Sequence, residues 1–181
     1  ERAKRLLADR QFAEAIPTLD AASAASPNSL YIHYLLGECY LKANRPKDAV
    51  PAFQIVLKID PRYPPALIGL GESLAETGRV EEGAEHLRAS LSLDDGNIRA
   101  HGLYAQALRR LGRLDDALAA CHRGLALRPS DPDLTNELGA ILEKQGRSSE
   151  AVEMYRRALA ASPALHAARL NAAVALFLSG R

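Results

Sequence analysis

The chain has 181 residues, of which 48% are hydrophobic and 25% are charged. This composition is typical of a folded, well-packed protein and argues against disorder. Its 23 Lys and Arg residues nearly balance its 22 Asp and Glu residues, so the formal net charge is +1. Because the chain lacks an overall basic field, we expect neither nucleic acid nor an anionic membrane surface as its partner.

The two ends of the sequence do not indicate the cellular compartment of the protein. The chain opens with ERAKRLL and shows neither an apolar signal core nor a cleavage site. We therefore expect a fragment or a mature portion, and the compartment stays open. The longest apolar run near the C-terminus, LNAAVALFL at 170–178, is far shorter than the ~20 residues that cross a bilayer. The sequence thus predicts no transmembrane segment.

One short sequence motif recurs along the chain at a fixed interval. Gly-Arg pairs stand at 78–79, 112–113, 146–147 and 180–181, and Asn44-Arg45 lies one interval of 34 residues upstream. Two columns of small residues keep this interval: Ala15, Ala49, Gly83, Ala117 and Ala151, and Ala3, Gly37, Gly71, Ala105, Gly139 and Ala173. Prolines keep it at Pro27, Pro61, Pro129 and Pro163. Columns that share one period indicate internal repeats.

Each repeat is predicted to contain two helices, because apolar residues recur three and four apart on both sides of the Gly-Arg turn. In the unit 30–63, Gly37 and Ala49 would let the two helix backbones approach closely. Gly78, Gly112 and Gly146 stand where a first helix ends, in a left-handed conformation that glycine adopts readily. Acidic residues such as Glu81 and Asp115 then fall in the first turn of the second helix, where they favour the helix dipole.

This pattern resembles the tetratricopeptide repeat family, whose 34-residue unit is a helix-turn-helix. The unit 30–63 carries the family residues Leu36-Gly37, Tyr40, Ala49, Phe53 and Pro61. The resemblance covers the whole chain and implies an all-α fold, a right-handed α-solenoid superhelix of antiparallel helix pairs. It divides a single array, 1–181, into a partial unit 1–29, the units 30–63, 64–97, 98–131 and 132–165, and a partial unit 166–181.

The sequence departs from the family pattern in three places. The first aromatic position holds His33, Leu67, His101, Thr135 and Arg169 in successive units, so we expect that column to be loosely packed or solvated. Pro17 and Pro51 fall in the second turn of second helices, where proline removes a hydrogen bond and is expected to bend the helix. Residues 94–97, with the sequence DDGN, replace the usual proline and form the most turn-like junction of the array.

The resemblance implies a concave groove lined by the first helices, with repeat positions 2, 5, 9, 12 and 13 facing it. The candidate partner-binding residues are Tyr31, Tyr34, Glu38, Leu41, Ile68, Glu72, Glu76, Arg99, Gln106, Arg109, Arg110 and Asn136. The repeat pattern gives Tyr31, Tyr34 and Ile68 no packing role, so we expect these to anchor a partner. The arginines of the unit 98–131 would meet acidic groups. Alternatively, the charged residues belong to ordinary solvated helix faces.

No combination of residues predicts catalysis, a metal or a cofactor. Cys39 and Cys121 lack a second ligand at metal spacing, and we expect both to be buried thiols. Cys121 and His122 are neighbours and point ~100° apart on a helix, a poor geometry for activating a thiolate. Cys121 also stands in a column filled elsewhere by Phe, Leu and Tyr, which indicates core packing. We therefore expect no active site within this chain.

Two functions follow from the resemblance. The first is a protein–protein interaction scaffold that binds a peptide or protein in the groove. The alternative is the substrate-recognition arm of a larger enzyme, such as a sulfotransferase, glycosyltransferase or hydroxylase, whose catalytic domain lies outside the chain. The basic and asparagine residues with which chaperone-binding relatives hold a terminal carboxylate are absent from the matching positions. Residues 166–181 form a first helix without a second, so Arg181 resembles a truncation point and self-association through that helix is expected.

Overall fold

The structure, a computed structural model, describes residues 2–178, and these form eleven α-helices without a strand. The helices are α1 Arg2–Ala8, α2 Phe12–Ala25, α3 Leu30–Lys42, α4 Pro46–Ile59, α5 Pro64–Glu76, α6 Val80–Leu93, α7 Ile98–Arg110, α8 Leu114–Leu127, α9 Pro132–Lys144, α10 Ser148–Ala161 and α11 His166–Leu178. The predicted helix pairs are thereby confirmed. None of the helices described is both long and apolar enough to cross a bilayer. Pro17 and Pro51 lie inside α2 and α4.

The chain divides into two compact units, Glu1–Asp95 and Gly96–Arg181. The first unit contains α1 to α6 and the second contains α7 to α11. The boundary falls within residues 94–97, where the sequence replaces the usual proline by DDGN.

The turn between the two helices of a repeat is set by one residue with a positive φ. Gly78, Gly112 and Gly146 have φ values of 93°, 76° and 77°, as predicted. Asn44 and Arg10 hold the same repeat position with φ values of 57° and 59°, although their side chains make this conformation less favourable. The pair Gly180-Arg181 continues the column but lies outside the described residues.

The arginine of the recurring Gly-Arg motif has a local structural role that the sequence did not predict. Within residues 2–178, each arginine of this column immediately precedes a second helix and forms an ion pair with the acidic residue three positions later. The pairs are Arg45–Asp48 at 2.8 Å, Arg79–Glu82 at 2.5 Å, Arg113–Asp116 at 2.9 Å and Arg147–Glu150 at 2.7 Å. The predicted acidic first turn is thus confirmed, and arginine and acid together mark each helix start.

Small residues make room for large ones in the core of the first unit. A Cβ added to Gly37 would lie 2.6 Å from the Phe53 ring, and one added to Gly69 would overlap the same ring. Gly37 therefore accommodates an aromatic ring and does not bring two backbones together. The close backbone approach occurs instead between α5 and α6, where a Cβ on Gly71 would lie 2.9 Å from the carbonyl oxygen of Gly83.

The core of the second unit is built in a similar way around Tyr155. A Cβ on Gly139 would lie 2.6 Å from the Tyr155 ring, which is fully buried. Cys121 packs in the same cluster, as its repeat column predicted, and Cys39 is buried in the first unit. Both cysteines are free thiols, which confirms the core role expected for them.

The expectation that the first aromatic column is loosely packed is wrong. His33, Leu67, His101 and Thr135 are all buried, and only Arg169 is exposed. Two of the polar members bond to carbonyl groups that precede their helices: the His33 Nε2–Pro27 O distance is 2.8 Å, and the Thr135 hydroxyl donates to Asp131 O at 2.7 Å. Arg169 donates to Pro163 O at 2.6 Å. At positions 33, 135 and 169, hydrogen bonding to the loop thus replaces aromatic packing.

Candidate partner-binding surface

The candidate residues lie on first helices, in two separate sets. Those of the first unit, on α3 and α5, form the first-unit face. Those of the second unit, on α7 and α9, form the second-unit face. The members of the first-unit face are Tyr31, Tyr34, Glu38, Leu41, Ile68, Glu72 and Glu76. Those of the second-unit face are Arg99, Gln106, Arg109, Arg110 and Asn136.

The apolar residues of the first-unit face differ in their exposure to solvent. Tyr31 is 60% exposed, whereas Ile68 is only 4% exposed. The Tyr34 ring is half-buried, with its centroid 6.2 Å from that of Phe53 and 5.7 Å from that of Tyr63 in an edge-on arrangement. The expectation that packing does not require Tyr34 and Ile68 is therefore wrong, because both belong to the packed interior. Tyr31 is the accessible aromatic residue of this set.

The remaining residues of the first-unit face are mostly half-buried. Leu41 packs against the core, Glu72 is half-buried, and Glu76 is exposed. The Oε1 atom of Glu38 is inaccessible to solvent and has no hydrogen-bond partner among the described residues. Such an atom carries a desolvation cost unless a donor reaches it.

The structure brings Arg99, Gln106 and Asn136 together in one cleft of the second unit. This α7–α9 cleft has a volume of about 740 Å³ and is open to solvent. Ile98, Leu103 and Leu134 supply apolar walls, and Asn97, Arg128, Asp131, Asp133 and Glu137 supply polar ones. The geometry agrees with the repeat positions proposed from the sequence for these three residues. Arg110 is exposed and does not line this cleft.

Several polar groups of the α7–α9 cleft are already engaged. Asp131 accepts a hydrogen bond from the backbone N–H of Leu134 at 3.0 Å and forms an ion pair with Arg128 at 3.2 Å. The Gln106 side-chain amide is exposed and makes no hydrogen bond with another described residue, and the Asp133 carboxylate is also exposed. Gln106 and Asp133 are therefore available to a ligand.

Arg109 differs from the sequence-based expectation of a free cation. Its Nε lies 2.6 Å from Glu137 Oε1, in an ion pair that joins α7 to α9. Burial raises the pKa of Glu137 above its usual range, although hydrogen bonding to Arg109 opposes this effect. For Arg109, burial disfavours the charge, but the hydrogen bond and charge of Glu137 outweigh it, and the pKa is raised. Arg109 is thus a structural partner of Glu137.

A second cleft lies between α9, α10 and α11 and has a volume of about 470 Å³. Its lining residues are Arg109, Ala140, Glu143, Lys144, Ser148, Tyr155, Asn171 and Ala175. The Tyr155 hydroxyl donates to Glu143 Oε2 at 2.8 Å, and burial together with this acceptor raises the pKa of Tyr155. Lys144 is exposed and forms no ion pair with a described residue. We call this space the α9–α11 cleft.

Helix α11 extends the second-unit face with apolar side chains. Asn171 Nδ2 donates to Asn136 Oδ1 at 3.0 Å, so α11 adjoins α9 through a side-chain amide pair. Leu170, Val174 and Phe177 are 66%, 44% and 83% exposed. Sequence reasoning did not select Asn171 or Tyr155 for this surface. Asn171 lies one position beyond the groove column, and Tyr155 belongs to a second helix.

The chemistry available at these surfaces is recognition by hydrogen bonds, ion pairs and apolar contact. Within residues 2–178, no group of three or more His, Cys, Asp and Glu side chains could hold a metal ion. Burial raises the pKa of Cys39 to about 11 and that of Cys121 to about 12, with nearby Glu38 and Glu137 adding to the respective shifts. These thiols are therefore poor nucleophiles at neutral pH.

Comparison with known proteins identifies the family. The model of the tetratricopeptide repeat matches the chain in five overlapping segments, residues 1–64, 40–98, 68–132, 103–165 and 136–181. The chain belongs to the tetratricopeptide repeat family. This membership and the eleven helices of the described residues confirm the all-α repeat fold that the residue columns implied.

The curated relatives of this tetratricopeptide repeat chain are longer proteins. It is 25% identical over 161 residues to human protein O-mannosyl-transferase TMTC1, a match that covers 87% of the chain and 17% of that protein. It is 24% identical over 200 residues to the peroxisomal targeting signal receptor of Kluyveromyces lactis, covering 91% of the chain and 35% of the receptor. The chain therefore spans much less than two thirds of either relative.

A solved tetratricopeptide repeat protein from Thermus thermophilus has the same fold. The two structures align with a TM-score of 0.79 at 22% sequence identity, over 97% of this chain and 95% of the other. At this level of identity, the likeness concerns the fold alone.

Proposed function

We propose that this tetratricopeptide repeat chain is a protein-interaction module that binds a peptide segment of a partner protein on the exposed faces of its first helices. Repeat proteins of this kind present extended binding surfaces and act mainly by recognition. The observation that carries the proposal is the α7–α9 cleft. Its volume of about 740 Å³ lies in the range of ligand sites, and its walls combine apolar side chains with unengaged polar ones.

The relatives support a recognition role without specifying a ligand. One is named a peroxisomal targeting signal receptor, a name that describes a recognition role. The region similar to this chain covers 35% of that receptor, so its ligand is not carried over.

A selection from a displayed library of random seven-residue peptides tests the proposal. The chain is immobilised, and selected peptides are remade and measured against three single variants, Arg99→Ala, Gln106→Ala and Asn136→Ala. We expect each variant to weaken binding by about tenfold or more where its side chain contacts the peptide. Arg123→Ala and Glu153→Ala are matched controls, because both residues are exposed on second helices.

Two results would contradict the proposal. One is the absence of any selected peptide that binds in solution. The other is a set of peptides that bind equally well to all cleft variants, which would place the binding surface elsewhere.

A second candidate is the substrate-recognition arm of a larger enzyme, with the chemistry outside this chain. The similarity to a protein O-mannosyl-transferase favours it, because 17% of that enzyme matches this chain. Any sequence beyond residue 181 in the full-length protein distinguishes the two. Further repeats favour the scaffold, whereas an alternation of strands and helices favours the enzyme arm. In either case the α7–α9 cleft is the expected recognition surface.

A further inference from the structure

The binding surface of the second unit changes character where it passes from α9 to α11. Asn136, Ala140 and Glu143 of α9 line the two clefts. The residues 34 positions later, at the equivalent places on α11, are Leu170, Val174 and Phe177. These residues are strongly exposed, and their spacing of four and three places them on one side of the helix. We call them the α11 stripe.

The α11 stripe does not lie on the face of α11 that corresponds to the α10-facing side of α9. In α9, the side facing α10 includes Gly139, which meets the Tyr155 ring, and the buried Thr135 lies one helical turn before Gly139. The equivalent residues of α11 are Arg169 and Ala173, a charged residue and a small one. The large apolar residues therefore continue the cleft-lining column, and the stripe adjoins the α9–α11 cleft to which Asn171 and Ala175 contribute.

The charges of the α9–α11 cleft leave one cation without an internal partner. Arg109 is held by Glu137. Glu143 also lines the cleft and accepts the neutral Tyr155 hydroxyl, a hydrogen bond that cancels no charge, but it forms no ion pair with Lys144 among the described residues. Lys144 is exposed on the same cleft and has no ion pair within the described residues. Helix α11 itself has no acidic residue that could neutralise it. A ligand that fits this arrangement supplies a negative charge to Lys144 and an apolar group to the stripe.

We infer that the α9–α11 cleft and the α11 stripe together bind a peptide segment that carries a carboxylate side chain and a bulky apolar side chain about three residues apart. The spacing follows because packed helices lie about 8–10 Å apart, and a chain in the polyproline II conformation advances about 3.1 Å per residue with every third side chain on the same face. This inference rests on the proposed function and names the chemistry of its ligand. A second copy of the chain fits less well, because three side chains on one 13-residue helix bury far less than the ~1,200 Å² typical of stable interfaces.

Defined peptides test the inference. The probes are fluorescein-labelled heptapeptides of Gly and Ser that contain Glu and Phe three positions apart, in either order, and binding to the whole chain is followed by anisotropy. We expect the better of the two orders to bind, and we expect replacement of Glu by Gln or of Phe by Ser in the peptide to weaken binding about fivefold or more. A peptide with Lys in place of Glu should bind most weakly.

Protein variants locate the binding. Lys144→Gln should remove the preference for Glu over Gln in the peptide, and Phe177→Ser should weaken the parent peptide about fivefold. Lys58→Gln and Ile59→Ser are matched controls, since Lys58 and Ile59 are exposed residues at the end of α4, a second helix. Circular dichroism verifies that the variants keep their helix content.

The outcomes separate this inference from the proposed function. If neither order binds, if the Lys peptide binds as well as the Glu peptide, or if Phe177→Ser has no effect, the inference is overturned. In each case the displayed peptides that depend on Gln106 would still support the proposed function. If Phe177→Ser abolishes self-association but leaves peptide binding intact, the stripe is a contact between copies, and the inference is again overturned.

Discussion

Phe53 occupies space that two glycines on different helices leave open. The ring is fully buried, and an added Cβ at either Gly37 or Gly69 would press against it. Tyr155 meets Gly139 in the same manner in the second unit. At these positions the absence of a side chain is required by a neighbouring ring, since the backbone at all three glycines is ordinary helix.

The first prediction concerns this packing. Gly69→Ala should reduce the free energy of unfolding by about 1–3 kcal/mol, because an overpacked core must displace a buried ring. Gly102→Ala is the matched control: its Cβ would lie 3.6 Å from Leu134, an ordinary contact, so the higher helix propensity of alanine should dominate. Urea-induced unfolding followed by circular dichroism measures both. Equal stability of the two variants would show that the Phe53 ring relocates freely.

A second prediction at this scale concerns the buried thiols. Burial raises the pKa of Cys39 and Cys121 from 9.0 to about 11 and about 12. The folded chain therefore retains these protons at pH values where the unfolded chain loses them. Their contribution to stability is complete below about pH 9 and is lost as the pH rises through the folded values.

The measurement compares the wild type with the double variant Cys39→Ala/Cys121→Ala in urea at several pH values. The difference in unfolding free energy should stay constant from about pH 7 to about pH 8.5 and then shift against the wild type at higher pH. A difference independent of pH up to about pH 10.5 would mean that the thiols ionise alike in both states.

At the scale of the element, each described turn between a first and a second helix uses one left-handed residue, followed in four of the five turns by an arginine–acid ion pair. Gly78, Gly112 and Gly146 have open space around the place of a Cβ, so their role is confined to the backbone. Arg10 holds the same position with φ of 59° and bears the steric cost of a side chain.

The third prediction uses this equivalence. Gly112→Ala should destabilise the second unit by about 1 kcal/mol, because an L-residue is disfavoured at positive φ. Arg10→Gly should change the free energy of unfolding in the opposite direction and stabilise the first unit by up to about 1 kcal/mol. Thermal unfolding with hydrogen exchange of α1 and α8 amides measures both changes. Opposite signs support the backbone explanation, and a loss of stability in Arg10→Gly would contradict it.

At the scale of the whole molecule, α11 presents three large apolar side chains to solvent. The described part of the helix ends at Leu178, whereas the predicted partial unit extends to residue 181, so its last three residues lie outside the described residues. Exposed apolar area of this kind favours association when no ligand covers it.

The fourth prediction is weak self-association of the chain through the α11 stripe. Sedimentation velocity at tens of micromolar should show an average mass that rises with concentration. Phe177→Glu should return the chain to a monomer, because a carboxylate at the centre of the contact would be desolvated. Tyr31→Glu, at another exposed aromatic residue, should leave the association unchanged. A wild type that stays monomeric throughout this range would contradict the prediction.

The repeat columns were sufficient to predict the helices, their turns and the Cys121 core position, because each depends on residues within one repeat. They also predicted that Arg99, Gln106 and Asn136 share a surface. They failed for Tyr34 and Ile68, because the burial of these residues depends on what adjacent helices present. For the same reason the sequence did not predict that Glu137 would hold Arg109, a contact between residues 28 positions apart.

The pattern of helix contacts has a consequence for how the protein folds during its synthesis on the ribosome. Within each unit, the contacts among described residues join a helix to its next or next-but-one neighbour along the chain. Each helix can thus meet its partners soon after leaving the exit tunnel, without awaiting distant segments. Local contacts of this kind favour rapid folding, and domains generally fold from the N-terminal side during synthesis. Nascent chains halted after α6 should therefore already resist protease within Glu1–Asp95.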